Sequence, residues 1–251
     1  VRGVPSSVFG RPLLGDTDFS LAPLARQSGP SLFSLSDRTI IVTGGARGLG
    51  LTIAHALVQS GADVHCLDIL PEPVEPQWSE VKSEAESLGS KISYGQLNVT
   101  SPEDVYSTIG SIFQNARSTH PVRGLYHAAG INLLAPVEDI DIESFRRVID
   151  INLVGSHLVS QAFAKEYFKR HEDAPPTSTM DTGVTKAGEG ASIVLTASMS
   201  GTVANFGLDN AVYNSSKAGV IQLARNYAYE WSKRGIRVNV SRKQGYVWEI
   251  C

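Results

Sequence analysis

Thr43-Gly44-Gly45-Ala46-Arg47-Gly48-Leu49-Gly50 closes the apolar run Thr39-Ile40-Ile41-Val42-Thr43 and opens a stretch in which Ile53, Ala54, Leu57 and Val58 fall on one helical face. A strand passing through a glycine turn into a helix is the context a phosphate cradle requires. Gly44 permits the tight turn, Gly48 lets the backbone approach a pyrophosphate, and Gly50 lets the helix pack closely. The helix start then supplies N–H donors and the positive end of its dipole. The spacing is Gly-x-x-x-Gly-x-Gly rather than Gly-x-Gly-x-x-Gly, and it lacks the Gly-Lys-Ser/Thr ending of a triphosphate loop. A glycine cluster by itself often marks only a turn, but its place between a strand and a helix favours the cradle.

Downstream, apolar β-rich runs alternate with helical patterns, which predicts a parallel sheet covered by helices on both faces. Strands are expected at 39–43, 63–67, 91–97, 124–127, 193–196 and 236–239. Helices are expected at 51–60, about 79–88, from 102 after the cap Ser101, at 142 to about 170, and at 213–232. Gly61 stops the first helix, and Pro71, Pro73 and Pro76 force an extended loop after the second strand. Residues 172–190 read as a surface insertion, residues 1–32 as a flexible N-terminal extension, and residues 240–251 as an atypical tail.

The composition fits one domain: 251 residues can bury a full core, and 42% hydrophobic against 19% charged content is ordinary for a globular protein. A net charge of −3 offers no basic field for nucleic acid, and no apolar run approaches the length of a membrane span. Cys66 and Cys251 cannot build a disulfide framework or a metal site. A reducing, cytoplasmic location is expected. The alternative is mitochondrial, against which the acids Asp16, Asp18 and Asp37 stand among the Arg and Ser residues of the N-terminal stretch.

Two further features carry chemistry. Asp68 ends the second expected strand, where a carboxylate accepts the ribose hydroxyls of an adenosine and repels a 2′-phosphate, favouring NAD over NADP. Arg47 in the glycine turn keeps NADP open. Tyr213 and Lys217, at i and i+4, share a helix face, and a neighbouring ammonium lowers a phenol toward a working pKa for proton transfer. By itself that pair also describes a packed Tyr and a snorkelling Lys.

Taken in order, Thr43-Gly44-x-x-x-Gly48-x-Gly50, Asn152, Ser198 and Tyr213-x-x-x-Lys217 resemble the short-chain dehydrogenase/reductase family. Leu195-Thr196-Ala197-Ser198-Met199-Ser200-Gly201 with Ala204-Asn205-Phe206 resembles its fungal polyol dehydrogenases and yeast-type carbonyl reductases. The resemblance spans residues 33–239 and implies a Rossmann-type, doubly wound α/β domain. It further implies an NAD(P)(H)-dependent oxidoreductase interconverting a polyol-like secondary alcohol and a ketone, and a homo-oligomer. By the same resemblance Ser198 bonds the substrate oxygen, Tyr213 is the acid/base, Lys217 tunes Tyr213 and holds the nicotinamide ribose, and Asn152 anchors a water. Ser200 is the rival to Ser198. Cofactor contacts are implied for Thr43, Gly44, Arg47, Gly48, Leu49, Gly50, Asp68, Asn98, Val99, Ala129, Gly130, Tyr213 and Lys217.

Three departures from the family pattern stand out. His127-Ala128-Ala129-Gly130 replaces Asn-Asn-Ala-Gly, and His127 reads as a packed core residue rather than a catalyst. Asn98 stands where an Asp often lies beside the adenine, a change that keeps an acceptor there. After Ile236-Arg237-Val238-Asn239 the family's Pro-Gly turn, substrate loop, last strand and last helix are not matched. A retained intron or faulty gene model is the reading of that tail, with the sixth strand left as a sheet edge. This sets weak turnover as the expectation for the 251-residue form and keeps a catalytically silent, truncated isoform or dinucleotide-binding protein as the alternative.

Overall fold

Strand β1, Thr39–Thr43, is buried along its whole length, and its side chains alternate between two cores. Ile41 faces one and Ile40 and Val42 face the other. A computed structural model describes residues 33–171 and 190–243. In it β1 is followed by β2 (Asp63–Asp68), β3 (Ile92–Gln96), β4 (Val122–His127), β5 (Ala191–Ser198) and β6 (Ile236–Lys243), with all neighbouring pairs parallel. The order is β3-β2-β1-β4-β5-β6. The chain therefore reverses its direction of winding between β1 and β4, which opens a crevice at the strands' carboxyl ends. This is the doubly wound, Rossmann-type sheet expected. β6 is one edge of it among the described residues.

The helices are α1 (Gly48–Gln59), α2 (Gln77–Leu88), α3 (Pro102–Asn115), α4 (Ile142–Ile149), α5 (Gly155–Lys169) and α6 (Ala211–Trp231). Ala54 and Val58 of α1 with Trp78, Val81 and Ala85 of α2 cover Ile40, Val42, Val64 and Cys66. Ile109 of α3, Phe163 of α5 and Val220 of α6 cover Ile41, Leu125, Ile193 and Ile236 on the other face. Punctuation acts as the residues dictate. Gly61 takes a left-handed φ of 92° just past α1, and Ser101 Oγ accepts from the Asp104 N–H at 3.3 Å to cap α3, with Pro102 first in the helix.

Several details differ from expectation. β5 and β6 are longer, because their pairing continues in register to Ser198 and Lys243. α2 starts earlier, with Pro76 at its N-cap. The long helix expected over 142–170 is continuous but not uniform: a π-helical stretch, Asp150–Val154, joins α4 to α5 and contains Asn152. The extension at 1–32, the bulk of the insertion at 172–190 and tail residues 244–251 lie outside the described residues. No helix among the described residues is long and apolar enough to cross a membrane.

Candidate active site

The sequence's candidates come from seven segments of the chain around the crevice between β1 and β4. At its floor the glycine turn folds on itself. A Cβ built on Gly50 would lie 1.9 Å from the Gly44 carbonyl oxygen, and one on Gly44 would lie 2.7 Å from the Ala129 nitrogen. Gly48 is different: it has a φ of 54° and nothing within 4 Å of its Cβ position, so the backbone at the start of α1 faces open space. Arg47 is the N-cap residue, with extended backbone and no side-chain cap bond, which leaves the first-turn N–H groups to a ligand. These residues fit a dinucleotide pyrophosphate, since the space a side chain would fill is what a phosphate oxygen needs.

Asp68 ends β2 beside this turn. Its Oδ2 accepts from the Ala46 N–H at 3.1 Å and its Oδ1 from the Leu70 N–H at 3.3 Å. Each oxygen keeps a lone pair for a hydroxyl donor. Asn98 is arranged otherwise than expected. Its Oδ1 accepts from both the N–H and the hydroxyl of Thr100, at 3.1 and 2.8 Å, so the acceptor is spent locally and the free function is the NH2 donor. Val99 is buried, with its Cγ2 3.0 Å from a Cβ placed on Gly155 at the start of α5.

Across the crevice, Ser198 ends β5 and Tyr213 and Lys217 lie in the first two turns of α6. The Ser198 hydroxyl lies close enough to the Tyr213 phenol to favour its phenolate. Ser198 Oγ donates to Ser200 Oγ at 3.1 Å and accepts from the Ser200 N–H at 3.2 Å. Ser198 is thus the serine against the phenol, and Ser200 stands behind it and orients it. Lys217, 4% exposed, donates from Nζ to the Thr196 carbonyl at 2.8 Å and lies 5.7 Å from the Tyr213 ring centroid. Its Nζ is also 3.4 Å from a Cβ built on Gly130, so a side chain there would crowd the ammonium.

Asn152 is fully buried, and its amide works as a bracket. Oδ1 accepts from the Ile131 N–H at 2.8 Å, while Nδ2 donates to the Ile131 carbonyl and to Ser216 Oγ, both at 2.9 Å. It ties the π-helical turn to the loop after β4 and to α6, one residue before Lys217. π-Helical turns recur at functional sites because they perturb a regular backbone there. The carbonyl of Thr196, the backbone of Ile131 and Ser216 were not legible as site residues. Backbone groups leave no sequence signal, and a serine on a helix is ordinary.

Burial sets the titration of the site. It pushes the Tyr213 phenol above its usual value, and the nearby Ser198 hydroxyl only partly offsets this. Desolvation is the largest cause, and the Lys217 ammonium donates to the Thr196 carbonyl. Burial also lowers Lys217 itself from 10.5 to about 8. The unfolded chain then binds more protons than the fold between pH 8 and 10.5, so this group adds stability as pH rises through that window. A shift of that size corresponds to roughly 3 kcal/mol. Relative to Lys217→Met, the wild type should gain stability in denaturant melts between pH 8 and 10; a flat difference would contradict the burial of the ammonium.

His127 is a core residue, as its position implied. Its Nδ1 shares a 2.7 Å hydrogen bond with Thr43 Oγ1, and burial followed by the Lys217 charge lowers it to about 3, so the ring is neutral. Among the described residues no group of His, Cys, Asp and Glu side chains is placed to hold a metal ion.

Residues 38–244 match the family model described as short chain dehydrogenase. The chain is 41% identical to "Short chain dehydrogenases/reductase notP'" of Aspergillus versicolor over 240 residues, covering 90% of this chain and 75% of that protein. It is 33% identical to the D-arabinitol 2-dehydrogenase [ribulose-forming] of Candida tropicalis, with 86% and 72% covered. Identity to the NADH-dependent L-xylulose reductase of Ambrosiozyma monospora is also 33%, with 86% and 74% covered. Among solved structures, a short-chain type dehydrogenase/reductase from Mycobacterium marinum superposes with a TM-score of 0.70 at 27% identity, covering 85% of this chain and 77% of that one. With the glycine turn at the switch point and Ser198, Tyr213 and Lys217 converging across it, this match over most of its length places the chain in the short-chain dehydrogenase/reductase family, whose members are NAD(P)-dependent alcohol and carbonyl oxidoreductases.

Proposed function

We propose that the protein interconverts a polyol and the corresponding ketose with NAD(H), using Tyr213 as proton donor and acceptor. The observation that carries this reading is the meeting of Ser198 at the end of β5 with Tyr213 and Lys217 of α6, with the Lys217 Nζ 5.7 Å from the Tyr213 ring centroid. The nicotinamide, when bound, supplies or takes the hydride. The remaining work belongs to the chain. The Ser198 hydroxyl donates to the substrate oxygen and fixes its position against the phenol. Tyr213 gives its proton to the oxygen in reduction and recovers it in oxidation. A phenol held above its usual pKa is loaded as an acid near neutrality, which suits reduction of a ketone. Lys217, held by Thr196, would hold the nicotinamide ribose, and Asn152 keeps α6 in register with the loop after β4.

NAD is favoured over NADP because the Asp68 carboxylate stands where a 2′-phosphate would meet a like charge. Polyol as substrate class is supported by the names of the arabinitol and xylulose relatives. Asp68→Asn preserves shape and removes the charge. Its ratio of kcat/KM for NAD over NADP should fall about ten-fold or more, and an unchanged ratio would move cofactor choice to another residue.

A further inference from the structure

Asn98 follows β3, an edge strand among the described residues, and its side chain is held in one orientation. The Thr100 backbone N–H, which can only donate, lies 3.1 Å from one end of the amide, and the Thr100 hydroxyl lies 2.8 Å from the same atom. That atom is therefore the oxygen, since a rotated amide would set donor against donor. The NH2 end is bonded to none of the described residues, and Asn98 is only half-buried. It is a donor fixed in place by its own turn.

The order of the strands says what this donor meets. The glycine turn that fits a pyrophosphate follows β1, and Asp68, with a lone pair on each oxygen for a ribose hydroxyl, ends β2, the next strand outward. β3 is next again. Asp68 is in register with Gln96, and the Leu97 N–H donates to the Asp68 carbonyl at 2.6 Å, so Asn98 is the first residue beyond that bond. A ribose held at Asp68 with its phosphates toward β1 carries its base outward, to the end of β3. Ile69 stands at the same end of the sheet, 59% exposed, and its carbonyl accepts from Gln96 Nε2 at 2.9 Å. It offers apolar surface to a base face, and Asn98 offers a polar group to the base edge.

We propose that Asn98 reads the six-position of the cofactor's purine as a hydrogen-bond donor, so that the protein takes a dinucleotide with a 6-oxopurine base at least as tightly as NAD. Adenine carries an amino donor at that position, whereas a 6-oxopurine carries a carbonyl acceptor. A donor against a donor leaves both unpaired, and a donor against a carbonyl closes a bond. A carboxylate at position 98 would reverse the preference, because it can only accept. NAD still binds through its phosphates and ribose. The proposal rests on the dinucleotide binding in the function proposed above.

The test is equilibrium binding to the full chain, measured by calorimetry with NAD and with nicotinamide hypoxanthine dinucleotide. The two probes differ only at the six-position and the adjoining ring nitrogen. The wild type should bind the hypoxanthine form at least as tightly as NAD, and Asn98→Asp should move the ratio of the two dissociation constants about ten-fold or more toward NAD. The added charge acts on both dinucleotides alike, so the ratio is free of it. An Asp oxygen still accepts from Thr100, so thermal melts of the variant should match the wild type. With both dinucleotides bound, a wild type that favours NAD by about ten-fold, or a ratio that Asn98→Asp leaves within about two-fold, would overturn the proposal and leave the proposed function standing. Failure of either dinucleotide to bind at all would overturn the proposed function together with it.

Discussion

Tyr213→Phe is expected to lower turnover by about a thousand-fold while leaving cofactor affinity within a factor of two or so, because general acid–base catalysis of this kind contributes about 10²–10⁴. The substitution removes one oxygen from a residue that is 6% exposed and packed at the start of α6. The ring and its contacts remain, and the nearby Lys217 bond to the Thr196 carbonyl does not involve the phenol. The loss should therefore appear in kcat, with little change in thermal stability. Ser198→Ala serves as the companion variant. It removes the hydroxyl beside the phenol and should cost less, since Ser200 Oγ stands 3.1 Å behind it and can take over part of the positioning. If Tyr213→Phe kept more than a tenth of wild-type turnover, Tyr213 would not be the acid/base.

Gly50→Ala is expected to be the most damaging glycine-to-alanine change among the described residues. The added Cβ would sit 1.9 Å from the Gly44 oxygen and 2.6 Å from its carbonyl carbon, both backbone atoms that no rotamer change can move. The turn must open, at a cost of about 3 kcal/mol or more, at the upper end for overpacking. Cofactor affinity falls with it, because the first-turn N–H groups lose their common direction. Gly48→Ala is the informative contrast. No atom lies within 4 Å of its Cβ, so the only intrinsic cost is the left-handed backbone, about 1–2 kcal/mol. Its methyl nevertheless enters the space open to a pyrophosphate. Chemical melts and NAD titrations should show Gly50→Ala losing both stability and affinity, and Gly48→Ala losing mainly affinity. Equal behaviour of the two would argue against the turn as a cofactor cradle.

The parts of this molecule that could be read from sequence are those set by local chemistry. β1 was bounded correctly because five apolar and β-branched residues run unbroken into a glycine turn, and such a run is buried on both faces. The start of α3 followed from Ser101 and Pro102 for equally local reasons. The π-helical turn at Asp150–Val154 could not be read, since one extra residue per turn leaves the apolar pattern of a long helix almost intact. Nor could the sign of the Tyr213 shift. Its spacing to Lys217 gives proximity, whereas the dominant cause is burial by segments distant in sequence. Asn98 was expected to keep an acceptor free, but its oxygen's engagement with Thr100 depends on a turn the sequence only permits.

Hydride transfer itself is best followed by isotope. The protein, with NADH carrying two deuterium atoms at C4, would be allowed a single turnover with a ketopentose, and the product examined by mass spectrometry. One deuterium on the new carbinol carbon, absent with Tyr213→Phe, is the predicted result. Bound NADH that delivers no deuterium to the ketopentose or to any of a panel of simple ketones would contradict it, and would leave a protein that holds the dinucleotide without performing its chemistry.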